Sequence, residues 1–235
     1  MSYATTKSAF WAGFRDSAPF VIVAAPFAVL FGLLATEAGL NVFESLAFSV
    51  VVIAGAAQFA ALQLMEDNAP TLIILASALA VNLRMAMYSA SITPHLGAAP
   101  LWQRAIASYF LVDQTYAVSI AKYEVAPDMP LGQKMAYFFG TVMPICPMWY
   151  LFTLVGAMVG NQLPGDMAID FVLPLAFLAL IAPMLRTPAH IAAALTAIVV
   201  ALLTAFLPYN LGLMVGGLAG MMAGARVELW LEARA

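Results

Sequence analysis

Apolar residues come in runs of about 20, without the strict alternation of a half-buried strand, and short stretches carrying proline, glycine and charge separate the runs. Reading run length against those loop signals predicts eight helices, at about 17–36, 44–65, 70–93, 101–122, 134–160, 168–185, 189–207 and 211–230. The count falls to seven if one run is re-entrant or broken. Each run is long enough for the roughly 30 Å hydrocarbon layer of a bilayer. The expected fold is all-α: a polytopic integral membrane protein forming one transmembrane domain over 1–235.

Composition agrees, with 64% hydrophobic and 9% charged residues, against roughly 45–50% apolar in a soluble domain. Lys7 and Arg15 precede the first run as they would in a signal peptide. That run holds Pro19 and Pro26 and continues to about Ala35, so a retained span is expected. Positive charge marks the cytoplasmic side of a membrane. With eight spans and both termini inside, Lys7, Arg15, Lys122, Lys134, Arg186, Arg226 and Arg234 fall on that side and Arg104 alone outside.

Prolines punctuate three runs: Pro19 and Pro26 the first, Pro144 and Pro147 the fifth, Pro174 and Pro183 the sixth. Each removes a backbone donor, so each marks either a broken helix or a simple kink, and lipid tolerates a break only beside protein or a wet cavity. A shift of 128 positions matches Pro19 with Pro147, Gly32 with Gly160, Phe43 with Phe171 and Asn82-Leu83 with Asn210-Leu211. That suggests repeat halves of about 13–122 and 134–230.

Arg84, the one basic residue deep inside a run, sits near mid-membrane. Arginine there costs about 2.5–3.5 kcal/mol on insertion scales, so it calls for an inward face and a partner. Arg84, Tyr88, Ser91 and His95 form one helical stripe, with Asn82 and Ser89 beside it. The expected partner is Asp113, from a neighbouring, antiparallel fourth span on which Tyr109, Asp113 and Tyr116 share a face and Gln114 adds a polar group. Two readings stand for the pair, a substrate or proton site and a structural staple. Gln58, three residues after Gly55, points inward, either to substrate or to another helix. Asp170 is read as a cap on the sixth helix. Gly212, Gly216, Gly220 and Gly224 smooth one face of the last helix, for packing within the chain or against another subunit.

Other chemistry lacks its residues. Cys146 stands alone, and His95 and His190 are far apart, so no disulfide, metal or other cofactor is expected. The net charge of -3 includes no basic block for nucleic acid. Without a P-loop, GxSxG or HExxH the chain is expected not to be an enzyme.

Taken together and in order, "GFRDSAPFVIVAAPFAVLFGLLA", "GAAQFA", "NLRMAMYSASITPHL", "FLVDQTYAVS" and "IDFVLPLAFLALIAP" resemble the AzlC family, the large subunits of branched-chain amino acid exporters. The resemblance implies a bacterial inner-membrane permease expelling valine, leucine, isoleucine and related neutral amino acids such as methionine, with a small AzlD-type membrane subunit. Two positions depart from the family pattern: Met85 stands where a histidine often follows the arginine, and Gln114 where a glutamate often follows the aspartate. Proton coupling would then rest on Asp113. The expected site is Arg84 and Asp113, lined by Asn82, Tyr88, Gln58, Tyr116 and Gln114, with Pro19 and Pro26 breaking a helix beside it. Rival readings are another small amphiphile, the uptake direction, or a scaffold that transports nothing.

Overall fold

The computed structural model describes residues 5–162, 185, 187–208 and 211–233. Asp170, Phe171, Pro174, Pro183, Arg186, Asn210 and Arg234 lie outside them, and so does nearly all of the expected sixth span. Every regular element among the described residues is helical, and many large apolar side chains, such as Ile22, Leu79 and Leu202, face outward as lipid contact requires. The chain divides into two units, Met1–Leu62 with Ala78–Gly165, and Gln63–Ser77 with Asp166–Ala235.

The first unit is built on one long helix. In chain order the helices are α1 (Thr6–Ser17), α2 (Phe20–Glu37), α3 (Val42–Val51), α4 (Gly55–Glu66), α5 (Thr71–Leu96), α6 (Leu101–Tyr109), α7 (Asp113–Val125) and α8 (Leu131–Gly160). Helices α1, α2, α3 and α7 all pack on α8. Backbone touches backbone where glycines remove the side chain: a Cβ on Gly13 would enter the Tyr137 carbonyl, and one on Gly32 the Thr153 carbonyl. Gly13 meets Tyr137, Gly32 meets Thr153 and Thr36 meets Gly160, so α1 and α2 run parallel to α8. Helices α2, α5 and α8 are long and apolar enough to cross a membrane.

The breaks do not fall where proline predicts most of them. Pro19 does separate α1 from α2, but α2 continues through Pro26 and α8 through both Pro144 and Pro147. Neighbours support the proline-bearing stretch of α8. The buried Ser17 hydroxyl lies 3.1 Å from the Thr141 carbonyl, next to the Gly140 carbonyl that Pro144 deprives of a donor.

The chain instead reverses at two proline-free stretches. Gln58 Nε2 donates to Ser49 Oγ at 3.0 Å, although residues nine apart on a continuous helix stand about 13 Å apart along its axis. Phe48 and Phe59 both pack edge-on against Phe31, with centroids 5.6 and 5.7 Å away. Ser49 beside Gln58 and Phe48 beside Phe59 is antiparallel pairing, so α3 and α4 are the arms of a hairpin turning at Val52–Ala54.

The second reversal lies between α6 and α7. Arg84 pairs with Asp113, Tyr88 stacks on Tyr116 and His95 rests on Tyr123. Those contacts advance together, so α7 runs parallel to α5 and α6 must run back between them. The predicted spans 44–65 and 101–122 are therefore re-entrant hairpins, and the third and fourth predicted spans are not simple antiparallel neighbours. Helix α6, nine residues long, rises only about 13 Å and cannot cross the bilayer.

The hairpins enter from opposite ends of α8. The α3–α4 hairpin follows the C-terminal end of α2, level with Gly160, whereas α7 returns to the start of α8, where the Tyr123 hydroxyl donates to the Lys134 carbonyl at 2.8 Å. Crossing helix plus hairpin thus occurs twice with inverted direction within the first unit. Lys7, Arg15, Arg104, Lys122 and Lys134 all collect at the end from which α6 and α7 enter. Residues 38–70, around the other hairpin, contain no lysine or arginine. Arg104, the sole exception under eight spans, now joins the other basic residues.

The second unit contains α9 (Pro188–Leu203) and α10 (Leu211–Glu232), packed as an antiparallel pair. Gly212 lies against Thr204, Gly216 against Ala197 and Ala201, Gly220 against Ala193 and Ala197, and Gly224 against Ala193. The glycine face is thus covered by small residues of the same chain and not held open for another subunit. Close backbone approach explains the stripe.

Each reversal is closed by a hydroxyl. Buried Thr115 accepts from the Val112 N–H at 2.9 Å and lies 2.8 Å from the Phe110 carbonyl. Tyr109 donates to the Val50 carbonyl at 2.6 Å, which has lost its helical donor because the Ala54 N–H goes to Val52. Thr115→Val should therefore lower stability by about 1–3 kcal/mol and Tyr109→Phe by about 1 kcal/mol. Thermal unfolding in detergent, with Ile22→Leu on the outward face of α2 as a near-neutral reference, checks both values.

Candidate functional site

At the tip of the second hairpin, Arg84 Nη2 lies 3.1 Å from Asp113 Oδ2, and the Tyr88 hydroxyl donates to Asp113 Oδ1 at 2.9 Å. Both carboxylate oxygens are thereby engaged. Asp113 is also the first residue of α7, at the positive end of that helix's dipole. Below the pair, Tyr88 and Tyr116 stack at 4.3 Å with planes 10° apart, and the Tyr116 hydroxyl donates to Ser91 at 2.9 Å.

The pair is not sealed. The Arg84 and Asp113 side chains retain 34% and 39% exposure, and charge at that depth belongs beside protein or a water-filled cleft, not hydrocarbon. Asn82 Oδ1 and Arg84 Nε are buried without a hydrogen-bond partner, leaving polar capacity unspent next to the pair. Gln114 is half-buried at the second position of α7. Pro19 and Pro26 lie on the segment packed against α8, and no described contact joins them to Arg84 or Asp113.

A cavity of about 310 Å³ lies along α5 and α6, and neither Arg84 nor Asp113 lines it. Leu96, Gly97, Leu101 and Arg104 line it toward the basic end of the molecule, and Leu111, beside the α6–α7 reversal, lines it inside. Phe138, Ile92 and Ala107 make its walls largely apolar, with Ser89, Thr93 and Ser108 as polar points. Apolar walls with a few placed polar groups suit a small amphiphile.

Gln58 belongs to a different cluster. Its fully buried amide donates to Ser49, whose hydroxyl shares a 3.1 Å hydrogen bond with Thr153 of α8. Tyr109 joins the two regions: its hydroxyl lies on the Val50 carbonyl and 2.9 Å from the Tyr150 hydroxyl. Sequence reasoning placed Tyr109 on one helical face with Asp113, but the break puts them on separate helices. It gave no weight to Thr115, Trp149, Tyr150 or Thr153. The adjacent aromatic pair at 149–150, four residues before a threonine in an apolar run, was the available signal.

Residues 19–163 match the profile of the family described as AzlC protein. The chain is 27% identical to the inner membrane protein YgaZ of Escherichia coli (strain K12), over 73% of this chain and 71% of that protein. It is 30% identical to an uncharacterized membrane protein of Archaeoglobus fulgidus over 83% and 84% of the two chains. A Helicobacter pylori membrane protein is 27% identical over 64% of each. No solved structure matches.

Removing one member of the ion pair leaves the other charge alone at mid-depth. Asp113→Leu and Arg84→Leu should each lose about 2–3 kcal/mol, and the double variant should recover most of that loss. A double-variant cycle of thermal stability in detergent reads the coupling directly.

Proposed function

Since the chain belongs to the AzlC family of membrane proteins, we propose that it is a secondary transporter subunit, not an enzyme, that exports valine, leucine, isoleucine, methionine or similar neutral amino acids in exchange for protons. The observation that carries this reading is the Arg84–Asp113 pair, a little over one-third exposed and set where a helix starts inside the bilayer. A pure staple has no need of one-third exposure.

By the positive-inside rule the basic end of the first unit, with the N-terminus, faces the cytoplasm. A cytoplasmic C-terminus rests on the basic residues Arg226 and Arg234. The membrane is the bacterial inner membrane, and a small AzlD-type subunit is the proposed partner.

In this mechanism Asp113 carries the coupling proton. Protonation from outside neutralises the carboxylate, releases the Arg84 guanidinium and weakens the bridge between α5 and α7; loss of the proton inward restores it. With Met85 and Gln114 at the flanking positions, no second titrating group adjoins either member in sequence. One inward charge supplies about 2.3 kcal/mol per 100 mV, enough for a roughly fifty-fold concentration ratio.

Proteoliposomes holding the chain, with and without the small subunit, test the reading. An imposed pH gradient should drive leucine, valine, isoleucine or methionine movement, and Asp113→Asn should lose at least about tenfold of the driven rate while retaining exchange. Immobility of all four amino acids in both preparations would refute the proposal.

A further inference from the structure

The Arg84 guanidinium and the Asp113 carboxylate already engage each other, so the charged head of a zwitterionic solute needs other groups. The reversal at Val52–Ala54 offers them. Helix α4 starts at Gly55, and the amides of Gly55, Ala56 and Ala57 precede the first that can bond within the helix, that of Gln58 to the Ala54 carbonyl. Ala54 has no side chain with which to cap them. Three N–H groups and the positive end of the dipole therefore point into the break.

Two buried atoms mark the same place. Gln58 is fully buried, and its side chain leans back across the break because its Nε2 reaches Ser49 on α3, yet its Oε1 has no partner. Trp149 lies over Gly55, its ring carbons 2.8 and 3.2 Å from where a Cβ would stand, and its buried Nε1–H also lacks an acceptor. A buried amide oxygen and a buried indole N–H left unsatisfied are both costly, so each calls for a partner. Glycine at position 55 leaves room for the indole, which any side chain there would displace.

We propose that this break is the head-group subsite for the α-amino acid: its carboxylate bonds the Gly55, Ala56 and Ala57 amides and the Trp149 indole, and its ammonium bonds Gln58 Oε1. The groups are neutral, so they bind a net-neutral solute without stranding a charge when empty. The inference rests on the amino acid reading above and deepens it. Arg84 and Asp113 are then freed for proton coupling and take no part in holding the head.

Calorimetric titration of the purified chain, with its small subunit where that co-purifies, tests the subsite. The probes are L-leucine, L-leucinamide, which lacks the carboxylate, and 4-methylpentanoate, which lacks the ammonium. Leucine should bind at least about tenfold more tightly than either analogue. Trp149→Phe and Gln58→Leu, each retaining the elution profile of the folded protein, should weaken leucine about tenfold and shrink the preference over leucinamide and 4-methylpentanoate respectively. Trp11→Phe, at an exposed side chain of α1, should match the parent. Leucine binding unchanged in both variants, or leucinamide binding as tightly as leucine, overturns the subsite while leaving transport standing. Failure of leucine, valine, isoleucine and methionine all to bind the parent overturns both.

Discussion

Two chain reversals inside a bilayer expose backbone groups where no bulk water can satisfy them, and the rest of the first unit follows from how that difficulty is met. The Tyr109 hydroxyl, at the end of one half-helix, reaches the Val50 carbonyl that the other reversal has freed. Thr115 closes its own turn from within. Ile53 and Phe110, from the two tips, pack against one core that includes Ile145 and Cys146 of α8. The second hairpin thereby supplies a donor that the first lacks, and α8 supports both.

That meeting sets where charge can reside. Because α6 turns back after nine residues, α7 starts at mid-depth with Asp113 at its first position, level with Arg84 on α5. A continuous fourth helix would have put Asp113 in the middle of an unbroken ladder, without the favourable helix end. The reversal also returns Lys122 to the end that holds Arg104, so all basic charge flanking the first unit's spans lies on one side. Charge asymmetry and ion pair are two results of one geometric event.

Much of this was legible in the residues. The all-α membrane class followed from run length, and the Arg84–Asp113 pairing from the cost of an unpaired charge in lipid. The directions of the helices did not follow, because both half-helix pairs together have the length and hydropathy of a single span. Proline pointed elsewhere: α8 absorbs Pro144 and Pro147 under the packing of its neighbours, an influence that sequence does not display. Local signals existed all the same. Val50, Val51, Val52 and Ile53 form a β-branched run that weakens a helix just before Gly55. Asp113 with Thr115 reads as a helix start within an apolar stretch. The glycine stripe of α10 was read correctly as a close-packing face, but its occupant, the alanine face of α9, emerged only from coordinates.

The decisive measurement concerns the loops on either side of the α6–α7 hairpin. With Cys146→Ser as background, a single cysteine is placed at Ala98 or at Asp128 and labelled with a membrane-impermeant maleimide in right-side-out and inverted vesicles. A re-entrant hairpin predicts that both positions react from one face, the cytoplasmic one. Reaction of Ala98→Cys and Asp128→Cys from opposite faces would mean that 101–122 crosses the membrane after all, and would contradict the account.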